Sequence, residues 1–185
     1  MGTVFLDRDG TINIDTGYVS DASALELIDG AARAIGDLKR AGWEIVIVSN
    51  QSGIGRGLIQ LEQLTEVNCK LDQLLLEGDA DAVIDFSFFC PHAPKEQCAC
   101  RKPFAGMLDP YLAQGDFSAE NSWIVGDKLS DIGLGASLGI PGKQQILVKT
   151  GKGADEIAGI SSLGYEPVVV DSLREAGELI LSSII

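Results

Sequence analysis

Six short apolar runs, separated by stretches of helical period, constrain this chain more than any other feature. Thr3–Leu6, Glu44–Val48, Val83–Phe89, Trp123–Val125, Ile146–Val148 and Pro167–Val170 read as strands. Between them, Leu61, Leu64, Val67, Leu71 and Leu74 recur at spacings of 3, 3, 4 and 3, the apolar face of an amphipathic helix. Gly30–Ala41, Ser130–Leu138 and Ser172–Leu181 are further helical stretches. Strands alternating with helices predict an α/β fold, a three-layer Rossmann-like parallel sheet with helices on both faces. No repeat, low-complexity tract or long linker divides the 185 residues, so one domain over 1–185 is expected.

The polar residues fall at the strand ends. Asp7 and Asp9 follow the first run, Ser49 and Asn50 the second, and Asp127 and Asp131 the fourth. In an open parallel sheet the carboxyl ends of the strands share one edge, and ligands bind there. Residues far apart in sequence are thus expected at one site.

The segment "FLDRDGT" (5–11) sets two carboxylates two residues apart, which extended geometry would point the same way. Like charges this close repel unless a proton or cation intervenes. A hard cation such as Mg²⁺ prefers oxygen ligands, and "VGDKLSD" (125–131) offers Asp127 as a third carboxylate. A surface turn at Asp9-Gly10 and a helix N-terminal charge at Asp131 are the bland alternatives. "VSNQSGIGRG" (48–57) adds a hydroxyl, amides and three glycines that let backbone N–H groups approach an anion.

The segment "CPHAPKEQCACRKP" (90–103) holds three of the four cysteines and the sole histidine. Cys90, His92, Cys98 and Cys100 make a closed tetrahedral Zn²⁺ set with no position left for water, hence a structural role. A disulfide and a redox-sensing thiol cluster are the competing readings; a reducing compartment and short-range strain weigh against the first. The zinc loop would fix Arg101 and Lys102, which leave it directly. Cys69 lies with Glu62, Glu66 and Gln73, away from the leucines, and is read as a bystander.

A net charge of −13 makes nucleic acid and anionic membrane surfaces poor partners. A phosphate ligand would need cations gathered locally. The start of the chain has neither a secretory nor a myristoylation pattern, and no uncharged run is long enough for a membrane span, so a cytoplasmic monomer is the expectation.

In order along the chain, Asp7-Arg8-Asp9-Gly10-Thr11, Ser49, Lys102 and Gly126-Asp127 through Asp131 resemble the signature of the haloacid dehalogenase superfamily of phosphohydrolases. The resemblance implies that Asp7 attacks phosphorus, forming an aspartyl-phosphate, and that Asp9 serves as acid and then base. It also implies that Ser49 and Lys102 hold the phosphoryl group and that Asp7, Asp9 and Asp127 carry Mg²⁺. The stretch between the first motif and Gly30 is too short for a large cap domain, so an open site is expected. Within the superfamily, the stretches 10–19, 50–57, 101–108, 126–131 and 148–153 resemble heptose-bisphosphate phosphatases, and the Cys/His loop also resembles histidinol-phosphate phosphatases. The first likeness implies removal of the C7 phosphate of a heptose 1,7-bisphosphate, in the synthesis of nucleotide-activated heptose for lipopolysaccharide or a related glycan. It makes Asp15, Gly17, Tyr18, Asn50, Gln51, Ser52, Arg101 and Lys128 substrate contacts, with Arg101 and Arg56 suited to the second phosphate. Ser49 stands where threonine is common, and the segment from His92 to Cys98 is short, close to the length in the histidinol-phosphate enzymes and in a short-loop subset of heptose phosphatases. An inactive sugar-phosphate-binding protein is the alternative of another class; the presence of Asp7, Asp9, Lys102 and Asp127 together speaks against it.

Overall fold

The computed structural model describes residues 2–164 and 166–183. Its strands are β1 (Thr3–Leu6), β2 (Glu44–Asn50), β3 (Phe86–Cys90), β4 (Trp123–Gly126), β5 (Gln145–Val148) and β6 (Val168–Val170). All neighbours run parallel, in the order β3-β2-β1-β4-β5-β6. The α-helices are α1 (Ala31–Arg40), α2 (Ser52–Gly55), α3 (Leu61–Gly78), α4 (Asp109–Leu112), α5 (Leu129–Ser137), α6 (Gly153–Leu163) and α7 (Leu173–Ser182).

The two-residue period of the strands divides the core. Val4, Leu6, Ile45, Ile47, Val125, Ile146 and Val148 pack on one face with residues of α1, α3 and α7, including Ile35, Leu71 and Ile180. Phe5, Val46, Val48 and Ile124 face the other way, onto Met107, Leu108, Tyr111 and Leu134. Both faces of β1 and β2 are therefore covered, which is why these strands read as unbroken apolar runs. Among the described residues no helix is long and apolar enough to cross a membrane. Between β1 and α1 the chain holds one 3₁₀ turn, Ala22–Ala24, and no inserted domain.

Several boundaries differ from the sequence reading. Strand β3 begins at Phe86 rather than Val83 because the preceding chain is turned: the Ala82 and Val83 amides donate to the Asp79 and Asp81 carbonyls. Asp85 then anchors the strand's entry by accepting from the Ile45 amide at 2.7 Å and from Lys39. Strand β2 runs two residues past Val48, so Ser49 and Asn50 belong to it and pair with Phe89 and Cys90. On α3 the buried stripe is Leu64, Val67, Leu71 and Leu75. Leu61, in the first turn, is 53% exposed, and Leu74 only half-buried. Helix α6 was not foreseen; its sequence, GADEIAGISSL, mixes small and polar residues without a clear apolar period.

The α3 stripe makes an assignment that unfolding measurements can check. Leu71→Ala is expected to lower stability by about 2–5 kcal/mol in urea titration, as for other buried leucines. Leu61→Ala is expected to stay within about 0.5 kcal/mol. Equal effects at the two positions would contradict the observed orientation of the helix.

Candidate active site

The carboxyl ends of β1, β2 and β4 open onto a cavity of about 390 Å³. The main chain aligns β1 with β4 to its end, the Asp7 amide donating to the Val125 carbonyl at 2.9 Å. Asp7 and Asp127 therefore emerge side by side, and α5 returns Asp131 to the same place. Asp7, Asp127 and Asp131 are all buried, and each offers an oxygen within 4.8 Å of the others.

Two lysines answer this charge. Lys102, 3% exposed, reaches Asp7 Oδ1 at 2.8 Å and Asp131 Oδ1 at 2.7 Å, and donates to the Val48 carbonyl at 2.6 Å. Asn50 holds the backbone of that lysine from both sides, its Oδ1 accepting from the Lys102 amide and its Nδ2 donating to the Lys102 carbonyl. Lys128 Nζ lies 3.1 Å from Asp127 Oδ1, 3.3 Å from the Asp9 carbonyl oxygen, 3.5 Å from Asp15 Oδ2 and 3.8 Å from Asp7 Oδ2.

These contacts split the carboxylates. Burial pushes the Asp7 carboxyl up, but Lys102 and Lys128 outweigh it and hold the group below its ordinary range. Asp127 goes the other way: burial and the facing Asp7 charge raise it to about 7. Burial raises Asp131 to about 6 against the pull of Lys102. Lys102 is raised, because Asp131 and Asp7 overcome the burial that would lower it. An anionic Asp7 beside a carboxyl group that resists ionisation is a donor set suited to a hard divalent cation.

Asp9 does not project where extended geometry would send it. Strand β1 ends at Leu6, and the Arg8 carbonyl then accepts from the Thr11, Ile12 and Asn13 amides, so the chain turns. The Asp9 carboxylate is held by Arg8, Asn13 and Gln51 instead, and its main-chain carbonyl accepts from Lys128, the same ammonium that lies against Asp127. Asp131, read from the sequence as a strand-end residue but not as a metal ligand, is the third clustered carboxylate.

Ser49, Asn50, Gln51, Ser52, Asp15, Gly17, Tyr18, Arg101 and Lys128 line the same cavity, together with Asp7, Asp9, Lys102 and Asp131. Gln51 Nε2 joins Ser49 Oγ at 2.7 Å to Asp9 Oδ2 at 2.8 Å. Arg56 is outside the cavity, 5.9 Å from the centroid of the Tyr18 ring. Below the cluster the backbone comes very close. A β-carbon at Gly10 or Gly151, both at positive φ, would fall 2.2 Å from Asp127 Oδ2. Arg8, Asn13 and Asn68, which support Asp9, were not anticipated; Arg8 was visible only as the middle letter of a motif.

At the end of β3, Cys90, His92, Cys98 and Cys100 converge. The sulfur–sulfur distances are 3.5, 3.1 and 3.4 Å, and His92 Nδ1 lies 3.5 Å from Cys90 and 3.1 Å from Cys100. All are free thiols, far from the ~2.05 Å of a disulfide. Three soft sulfurs and an imidazole packed this way can hold a tetrahedral metal, whose sulfur–sulfur edges would be about 3.8 Å. Arg101, immediately after the cluster, donates to the His92 carbonyl at 3.2 Å.

Comparison with known proteins gives consistent matches. Residues 7–137 match the family model described as polynucleotide kinase 3 phosphatase, and residues 99–176 match the HAD-hydrolase-like model. The chain is 41% identical over 155 residues to the D-glycero-beta-D-manno-heptose-1,7-bisphosphate 7-phosphatase of Haemophilus influenzae, covering 80% of this chain and 82% of that one. It is 37% identical over 185 residues to the enzyme of the same name from Pasteurella multocida, covering 96% and 95%. The crystal structure of D,D-heptose 1,7-bisphosphate phosphatase from B. bronchiseptica, complexed with magnesium and phosphate, superposes with a TM-score of 0.88. The two are 32% identical, over 99% of both chains. The Burkholderia thailandensis phosphatase of the same description gives 0.73 at 29% identity, over 98% of this chain and 99% of that one.

The raised Asp127 carboxyl carries a prediction about stability. Between its ordinary value of 3.8 and about 7, the folded protein keeps a proton that the unfolded chain has released. The metal-free protein should therefore lose on the order of 2 kcal/mol as pH rises from about 5 to about 8. A divalent cation, which needs the ionised group, should raise the melting temperature more at the higher pH. Thermal melts with Mg²⁺ or with chelator at both pH values test this. A cation effect that is larger at the lower pH would contradict it.

Proposed function

The chain belongs to the haloacid dehalogenase-like phosphatases, in the group of the heptose bisphosphate phosphatases, and from that membership we propose that it hydrolyses the C7 phosphate of D-glycero-D-manno-heptose 1,7-bisphosphate. The observation that carries the reading is the buried Lys102 ammonium, which joins Asp7 to Asp131 in a cavity whose rim holds Arg101 and Lys128. One domain, residues 1–185, performs the whole reaction.

Asp7 is the nucleophile. Lys102 occupies its Oδ1 and keeps it anionic, which leaves Oδ2 for attack on phosphorus. The bond from phosphorus to the C7 oxygen breaks as the bond to Asp7 forms, and Asp9 gives the departing oxygen its proton. Water then attacks the aspartyl-phosphate, passing a proton back to Asp9, and free phosphate leaves. Splitting the hydrolysis this way gives two easier steps served by one acid–base group. Lys102 and the Ser49 hydroxyl hold the transferring oxygens, where charge must be matched. Mg²⁺ would be held by the Asp7 and Asp127 carboxylates and the Asp9 carbonyl oxygen, and when bound it supplies further neutralisation of that charge. The remaining phosphate and the sugar fall to Arg101, Lys128, Asp15, Gly17, Tyr18, Asn50, Gln51 and Ser52. Arg56, stacked over Tyr18, can reach the phosphate only by leaving the ring. Zn²⁺ on Cys90, His92, Cys98 and Cys100 would hold the loop that delivers Arg101 and Lys102. The product would feed the synthesis of nucleotide-activated heptose in the cytoplasm.

Phosphate release with Mg²⁺, measured on both C1 anomers of the heptose bisphosphate and on histidinol phosphate, tests the substrate. At least one heptose anomer should exceed histidinol phosphate about tenfold or more in kcat/KM, and Asp7→Asn should lose at least about 10³-fold. Faster turnover of histidinol phosphate would overturn the substrate assignment. The zinc reading predicts one equivalent of zinc by elemental analysis. Cys98→Ser should lose it and lower kcat more than about tenfold, because the lysine is then no longer held. A zinc-free variant with undiminished kcat would contradict a role for the loop in placing Lys102.

A further inference from the structure

Arg8 is among the largest fully buried side chains, at 2% exposure, and it does not line the cavity. A guanidinium cannot shed its charge, so burying one is unfavourable unless it is paired and fully hydrogen-bonded. Here its Nε and Nη2 grip the neighbouring Asp9 carboxylate, at 3.2 and 3.0 Å to Oδ1 and 3.0 Å to Oδ2. Its Nη1 donates to Asn68 Oδ1 on α3 at 2.9 Å, which ties the fork to the helix.

The distribution of donors over Asp9 is unequal. Oδ1 accepts from Arg8 Nε, Arg8 Nη2 and Asn13 Nδ2. With three N–H donors against two lone pairs, Oδ1 is the more crowded oxygen and the less able to carry a proton, whereas a proton on Oδ2 needs only the Gln51 amide to turn. Oδ2 accepts from Arg8 Nη2 and from Gln51 Nε2, and Gln51 lines the cavity. We infer that Arg8, braced by Asn68, is a positioning residue that fixes the plane of the Asp9 carboxyl and confines its exchangeable proton to Oδ2, the oxygen bonded to the cavity-lining Gln51. This rests on the reading of Asp9 as the proton carrier. In the first step the proton passes from Oδ2 to the C7 oxygen as its bond to phosphorus breaks; in the second, a proton of the attacking water returns to Oδ2. A planar fork sets the orientation of a carboxylate in a way that a lysine ammonium, a point charge, does not.

The consequence is selective. An alkyl phosphate needs its leaving oxygen protonated, whereas nitrophenolate departs without a proton. kcat/KM reports the first irreversible step, so comparing the heptose bisphosphate with p-nitrophenyl phosphate isolates proton delivery. Arg8→Lys keeps the buried charge and removes the fork, and Asn68→Ala removes only the brace. Arg8→Lys should lose roughly 10- to 100-fold in kcat/KM on the heptose bisphosphate but less than about threefold on p-nitrophenyl phosphate. Asn68→Ala should show the same selectivity at smaller size, which keeps the test open if Arg8→Lys does not fold. Equal losses on the two substrates would mean a merely structural role and overturn the inference. Asp9→Asn separates the two levels. If it spares p-nitrophenyl phosphate while the Arg8 and Asn68 variants do not, only the positioning role fails. If it shows no leaving-group selectivity, the assignment of Asp9 as proton carrier fails, and the inference with it.

Discussion

A single buried ammonium governs the architecture of the site. Lys102 arrives from a loop more than ninety residues away from Asp7 in sequence, yet it sits between Asp7 and Asp131 with almost no contact with water. Without it, two enclosed carboxylates would face each other and a third with one partly exposed lysine to answer them, and burial would drive protons onto them. With it, Asp7 stays ionised at the floor of the cavity, and the repulsion is displaced onto Asp127. The pairing of β3 with β2 and the reciprocal amide contacts of Asn50 converge on this one residue, which follows the cysteine–histidine cluster directly in the chain. In a chain of net charge −13, the cavity gathers three cations, Arg101, Lys102 and Lys128, among its carboxylates.

The sheet was legible because its physics is local. Strands covered on both faces, such as β1 and β2, must be apolar throughout, and six apolar runs stood out, three of them with polar ends attached. The clustering of Asp7, Ser49, Lys102 and Asp127 followed from one topological rule about parallel sheets, together with the order of the motifs. What failed were inferences that depend on the exact path of the backbone. The two-residue spacing of Asp7 and Asp9 suggested a shared direction, but the chain leaves extended geometry at Arg8, and the second carboxylate turns into a cradle of its own. Helix α6 has no apolar stripe to announce it. The end of the α3 stripe was misjudged because the first turn of that helix projects past the core.

Arg8 was illegible for a different reason. Beyond the neighbouring Asp9, its partner is Asn68 on α3, a residue that carries no motif and has ordinary surface roles elsewhere. Only packing α3 against the sheet brings the two together. Composition and spacing can point to charged groups that act on a ligand, but groups that act on other side chains leave little trace in one sequence.

The glycines beneath Asp127 carry an implication for how such a chain can diverge. Gly10 and Gly151 approach the carboxylate so closely that any β-carbon would collide with it, so Asp127 is walled on that side by main chain. The rim, by contrast, is made of side chains from loops and the start of α2: Asp15, Tyr18, Ser52, Arg101 and Lys128. A lineage can therefore exchange the rim and acquire a new ligand while Asp127 stays fixed, because the atoms that wall it are those every amino acid shares.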